Sequence, residues 1–324
     1  MGGAGGELLA QRMVVSGRVL LGGRRGAPLE GSWVVLHRVT MGGGGAPIDS
    51  VRTDARGAFA LTVARPDTAA LYVASTWYGG IAYFSQALTA ASAGAGLSPL
   101  LVFDTTSAGP AIEVARRLVT IAKRKKDGTR DVLELVELRN PGNRTRIAAD
   151  TVRPTWAGAI PHDAIQFQVA QGDVSPQAVA LHGDSVMVFG PVPPGDPRQL
   201  SYAYVLPANV SSVAMPLDQP AAELDLLLED TVGVVTASKL DTLGVEEIEH
   251  RRFARYRATA LDPGTPVTIA LPTRDRFRAE SLVPVVVVLA AVALALGFVV
   301  AIRRQTSDVR HQTSDVREKL MSDV

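Results

Sequence analysis

Catalysis needs a few reactive residue types close together, and this chain of 324 residues groups them sparsely. Its five histidines, at positions 37, 162, 182, 250 and 311, are scattered. No His-x-x-x-His pair, no His-Glu-x-x-His pair and no Asp-rich calcium loop occurs. His162-Asp163 and His182-Gly183-Asp184 come nearest to a ligand pair, and each reads as solvated loop residues. There is no Gly-x-Ser-x-Gly nucleophile elbow. The glycines at 42–45 lack the Lys-Ser/Thr and the following helix that a phosphate cradle requires, and read as a hairpin loop. The absence of cysteine excludes disulfides, thiolate metal sites and a cysteine nucleophile. No catalytic residue, metal ligand or cofactor is therefore expected.

Two groupings remain. Lys123-Arg124-Lys125-Lys126 is the densest positive run, closed by Asp127-Gly128. It suits a charged hairpin tip, and without interleaved aromatics it is not expected to stack nucleic-acid bases. The formal net charge of +1 gives no bulk attraction for a polyanion. The second grouping is Trp77, Tyr78, Tyr83 and Phe84, four aromatics within eight positions of a chain holding only 3 Trp, 6 Tyr and 8 Phe. Exposed Trp and Tyr rings stack on sugar rings, so the four are candidate ligand-binding residues. Core filling near strand ends is the commoner use of such a cluster, and both readings stand. Trp33, in a Val-rich run, is expected inside.

The elements that must carry these residues read as β-structure. Runs such as 13–21, 32–39, 58–63 and 70–76 are rich in Val, Leu, Thr and Tyr, and Gly, Pro and Asp punctuate them every 8–12 residues. No helical stripe appears between 13 and 89. Thr53-Asp54-Ala55-Arg56-Gly57 reads as a hairpin turn: Asp54 bonds backbone N–H groups, Gly57 takes a positive φ, and Phe59 points inward.

Ser16-Gly17-Arg18-Val19, Ala27-Pro28-Leu29-Glu30-Gly31-Ser32, Val34-Val35-Leu36 and Thr53-Asp54-Ala55-Arg56-Gly57-Ala58-Phe59 follow one another in this stretch. Together they resemble the carboxypeptidase regulatory-like domain, whose pattern is roughly G-x-V, G-x-P-L-x-G-x-x-V-x-L, T-D-x-x-G-x-F. The resemblance implies a transthyretin-like, carbohydrate-binding-like Greek-key β-sandwich over 13–89 and a non-catalytic accessory role. It carries over no active site, because the domain is an appendage of the enzymes that contain it.

Residues 90–99 are Gly, Ala and Ser-rich and read as a linker. From 100 to 273 about ten further strands alternate with Pro/Gly turns such as 191–195 and 263–266, which suggests a second, immunoglobulin-like sandwich. Residues 281–302 are 22 positions without a charge, long enough as a helix (about 33 Å) to cross a hydrocarbon core. The chain thus reads as all-β, two tandem β-sandwiches plus one C-terminal transmembrane helix. The segment raises the mean hydropathy to +0.15. Five basic residues follow the span (Arg303, Arg304, Arg310, Arg317, Lys319) and three precede it (Arg274, Arg276, Arg278), favouring a cytoplasmic tail. Residues 1–12 read as a stub without a proper export signal, which leaves two readings. One is a C-tail-anchored protein with its body in the cytoplasm; the other, favoured by the exported character of the β modules, takes Leu8-Leu9-Ala10-Gln11 as the remnant of a cleaved export signal. The tail 303–324 repeats Gln-Thr-Ser-Asp-Val-Arg, which reads as an in-frame duplication. The Ala, Gly, Arg and Val-heavy composition suggests a GC-rich bacterium, where the sequons at Asn143 and Asn209 carry no meaning.

The function expected is a non-enzymatic, membrane-anchored extracytoplasmic binding or scaffold protein of a bacterial cell envelope. Its partners would be the membrane and a glycan, envelope or protein ligand, with no nucleic acid. The alternatives are an accessory subunit of an envelope assembly or transport complex, and an enzyme whose site is assembled from distant residues.

Overall fold

The computed structural model describes residues 12–24, 26–40, 45–92, 94 and 96–272. The apolar run 281–302, the tail 303–324 and the stub 1–12 (Arg12 excepted) lie outside these residues. Among the described residues no helix is long and apolar enough to cross a membrane. The described chain is all-β, with short 3-10 turns at Gly22–Arg24 and Pro176–Ala178. Its first strands are β1 (Met13–Leu21), β2 (Ala27–Pro28), β3 (Trp33–Val39), β4 (Gly45–Arg52), β5 (Ala58–Val63), β6 (Leu71–Tyr78), β7 (Ile81–Phe84), β8 (Leu88–Thr89), β9 (Leu100–Val102), β10 (Thr105–Thr106), β11 (Glu113–Ile121) and β12 (Arg130–Arg139). There follow β13 (Thr145–Arg146), β14 (Trp156–Ala159), β15 (Ile165–Val169), β16 (Val179–His182), β17 (Ser185–Val188), β18 (Arg198–Leu206), β19 (Ser212–Met215), β20 (Ala221–Leu228), β21 (Val234–Ala237), β22 (Leu240–Ile248), β23 (Arg251–Leu261) and β24 (Val267–Ala270).

The chain divides into two compact units. The first runs to Ala111 and also takes Asn140–Thr155 and Pro191–Gly195. The stretch expected as a linker runs along this unit: the Leu97 N–H donates to the Ser16 carbonyl (2.8 Å), and Leu97 packs on its core. One sheet has the order β4-β3-β6-β7, with β8 also on β6. In another, β1 lies between β2 and β5 and pairs in parallel with β9. Alternation explains the packing, since successive side chains of a strand face opposite sides. Val15 and Val19 of β1, Leu61 of β5, Val34 and Leu36 of β3, and Tyr72 and Ala74 of β6 meet in one apolar core. Each such large side chain, fully buried, stabilises the fold by about 1.5–3 kcal/mol.

The turn between β4 and β5 locks that core. Asp54 Oδ1 accepts from the N–H groups of Arg56 and Ala58, both at 2.8 Å. These bonds hold the Asp54 carboxyl below its usual range. Gly57 has φ +70°, and a Cβ there would stand 2.4 Å from the Val19 carbonyl. Thr53 is buried, donating to the Leu29 carbonyl (2.6 Å) and accepting from the Ser32 N–H (2.9 Å). Phe59 fills the core beneath the turn.

The second unit is built on a seven-stranded sheet, β15-β18-β12-β11-β20-β23-β22. Three-stranded sheets β14-β17-β16 and β19-β24-β21 accompany it. β11 and β20 pair in parallel; β12 is antiparallel to β11 and β18.

Candidate functional site

In the first unit, the hairpin of β6 and β7 sorts the aromatic cluster by strand alternation. Cross-strand partners share a face, and the pairs are Ser75 with Phe84, Thr76 with Tyr83, Trp77 with Ala82 and Tyr78 with Ile81. Trp77 and Phe84 therefore point out, at 68% and 63% exposed. Tyr83 points in, at 5% exposed, and its hydroxyl is committed to the Phe103 carbonyl (3.0 Å) and Thr145 Oγ1 (2.7 Å). Tyr78, on the inner side, donates to Asp104 Oδ1 at 2.7 Å and packs against the core. The four candidates thus form two pairs: one facing solvent and one building the core.

Trp33 joins the outward pair. The expectation that it packs inside is corrected: it is 52% exposed, because Val34 and Leu36 take the inward positions of β3. The register Val34 with Thr76 and Val35 with Ser75 brings Trp33 beside Trp77 on the outer face. Arg52, its partner on β4, lays its guanidinium 4.8 Å from the Trp33 ring centroid. Further along the same face the His37 Nε2 and Ser75 Oγ are hydrogen-bonded at 2.8 Å, and the His37 and Phe84 rings lie 6.5 Å apart. Beneath it Thr76 Oγ1 donates to the Trp33 carbonyl (2.8 Å) and bonds Ser32 Oγ, fixing the start of β3. The result is a β-sheet face with three exposed aromatic rings, one cation and one imidazole.

The second unit holds polar groups that the sequence did not single out. Arg116 and Arg117 are adjacent on β11, so they face opposite sides. Arg117 points into the core, where its Nε donates to Glu134 Oε2 at 2.7 Å. Tyr202 and Tyr204 also donate to Glu134, at 3.0 and 2.7 Å. The remaining Arg117 donors reach the carbonyls of Pro216 and Ala159. Burial opposes the Arg117 charge, but the Glu134 carboxylate keeps its pKa above the ordinary value. Burial, reinforced by Glu134, pushes both phenols well above theirs. A cavity of about 20 Å³ beside Arg117, Trp156, Tyr202 and Gln219 has room for a water and not for a sugar or nucleotide. Its indole donor is taken, since Trp156 Nε1 donates to Gln219 Oε1 at 2.7 Å. No buried side-chain nitrogen or oxygen of Arg117, Glu134, Tyr202 or Tyr204 is left without a hydrogen-bond partner.

On the other face of that sheet, Asp225 is buried beneath Arg116 and Arg257, with Arg255 3.7 Å away. Burial opposes its ionisation, yet bonds from Arg257 and Arg116 hold its carboxyl below the ordinary value. His162, expected in a solvated loop, is exposed there and bonds Asp184 at 2.6 Å, which raises its pKa. Among the described residues no group of three or more His, Asp or Glu stands together as a metal site.

No protein-family profile and no curated protein matches the chain. Among solved structures it is similar to an M1 zinc metallopeptidase from Deinococcus radiodurans bound to a Tyr-Ser-Ala substrate. The TM-score is 0.31 and the identity 9%, over 53% of this chain and 44% of that one. It is likewise similar to a further M1 zinc metallopeptidase structure from Deinococcus radiodurans. There the TM-score is 0.30 and the identity 11%, over 51% of this chain and 43% of that one. The chain spans less than half the length of the metallopeptidase chains it matches.

Proposed function

We propose that this protein is a non-enzymatic binding protein of the bacterial cell envelope whose first unit presents an aromatic sheet face to a glycan. In this reading the first unit is a carboxypeptidase regulatory-like sandwich and the second an immunoglobulin-like one. Residues 281–302 anchor both to the membrane, with the body outside the cytoplasm and the short tail inside. One observation carries the reading: Trp33, Trp77 and Phe84 stand exposed together on the outer face of β3, β6 and β7. An exposed apolar patch is costly to keep in water and marks a contact surface. Flat rings with free faces suit the C–H faces of pyranose rings. The Glu134 cluster of the second unit, by contrast, has its buried nitrogens and oxygens bonded internally, which supports a structural role for it over a catalytic one.

Affinity electrophoresis of the detergent-solubilised chain through gels containing soluble polysaccharides tests this. Retardation that is lost in Trp77→Ala and Phe84→Ala supports the reading; no retardation in any polysaccharide sinks it. A second reading, an accessory subunit of an envelope complex, is favoured by β22. This strand closes one edge of the seven-stranded sheet and exposes Leu243 and Val245, a shape suited to pairing with a partner's strand. Co-purification from native membranes would reveal such a partner, and a protein isolated alone at native levels would count against it.

A further inference from the structure

The aromatic face also carries a statement about the charge of its ligand, one that rests on the glycan reading above. By register the outward positions of β3, β4, β6 and β7 carry one charged side chain, Arg52, beside the hydroxyls of Ser50 and Ser75 and the His37 imidazole; the exposed Asp49 of β4 pairs with the inward Leu36. Arg52 is exposed, has no acidic partner among the described residues, and is steadied by the Trp33 ring. The indole N–H groups of Trp33 and Trp77 reach no protein acceptor among the described residues. His37 is already bonded to Ser75. A neutral sugar offers hydroxyls that both donate and accept, which the Ser50 and Ser75 hydroxyls could meet, but no charge to pair with the exposed guanidinium. A face whose one outward charge is an exposed cation without an acidic partner matches a ligand that brings an anion. A guanidinium matches best a carboxylate, which it can bind through two parallel N–H···O bonds.

We propose that this face binds an acidic polysaccharide of the uronic-acid class. The sugar C–H faces lie on Trp77 and Phe84, and a ring carboxylate meets the Arg52 guanidinium. The formal net charge of +1 supplies no long-range attraction, so discrimination arises at this contact.

The test uses the full chain in detergent, with polygalacturonate and alginate as acidic probes, dextran as a neutral probe and anionic phosphatidylglycerol vesicles as a lipid probe. Expected is binding to polygalacturonate or alginate at least tenfold tighter than to dextran. Arg52→Gln should abolish that preference while Trp77→Ala abolishes binding, both variants keeping the β-sheet circular dichroism of the parent. Equal binding to acidic and neutral probes, unchanged in Arg52→Gln, overturns the acidic ligand and leaves the glycan reading intact. Binding to no polysaccharide, or acidic binding that survives both Trp77→Ala and Phe84→Ala, overturns both. Binding to the vesicles alone overturns the proposal in favour of a lipid surface.

Discussion

Glu134 and Trp77 each stand where their chemistry is least at home. Glu134 is a carboxylate inside an apolar core, and Trp77 is a large apolar ring in water. The protein treats them oppositely. Around Glu134 it supplies Arg117, Tyr202 and Tyr204, so that the buried charge has no unmet bond. Around Trp77 it supplies no cover, although Tyr83, on the facing strand, is packed away with its hydroxyl bonded twice. The contrast separates structure from surface: groups whose capacity is spent inside hold the fold, and groups left with capacity face a ligand.

The largest expected effect breaks the inner half of that contrast. Glu134→Ala should destabilise the second unit by about 3–5 kcal/mol, because Arg117 is left buried and uncompensated. Urea unfolding would measure it, and a loss under about 1 kcal/mol would remove the cluster from the structural side. A smaller effect is expected at Asp225. Its folded pKa lies below the ordinary 3.8, so its contribution is present above that value and is lost as pH falls below it toward the folded pKa. Glu223, whose pKa burial and Asp225 raise, works with the opposite sign and loses its contribution as pH rises. Melting curves of the parent and of Asp225→Asn should therefore converge in acid below about pH 3.8; parallel curves would contradict the assignment.

The outer half predicts near-silence in stability. Trp77→Ala should change unfolding by no more than about 0.5 kcal/mol, since the ring is packed against little. A cost of about 3 kcal/mol, typical of a buried Trp, would move Trp77 to the core side of the comparison. The smallest effect is at the exposed His162. NMR titration should place its pKa above 6.5, and Asp184→Asn should bring it down with no measurable change in stability.

The all-β character was legible from Val-rich runs and turn signals, and the Thr53–Phe59 segment from its Asp and Gly spacing. The hairpin of β6 and β7 was half legible: the cluster showed in the sequence, but alternation splits it in two, and that depends on knowing that Trp77 faces Ala82. The third ring was out of reach. Trp33 lies in another strand, and only the register of β3 on β6 sets it beside Trp77. The Glu134 cluster was hidden for the same reason, since its partners lie 17, 68 and 70 positions away. Composition suggested a linker at 90–99, yet could not show that Leu100–Val102 pairs with β1 or that Thr145 receives the Tyr83 hydroxyl.

That last arrangement bears on how the protein is made. The first unit draws strands and loops from as far along as Gly195, with much of the second unit's sequence threaded between them. A ribosome that has released only the first ninety residues has released β1 without its parallel neighbour and Tyr83 without Thr145. The nascent first unit must wait for roughly another hundred residues before it can close. Until then its unfinished sheet edge is open to wrong pairings, so the order of synthesis, and whatever shields that edge, is part of this fold's requirements.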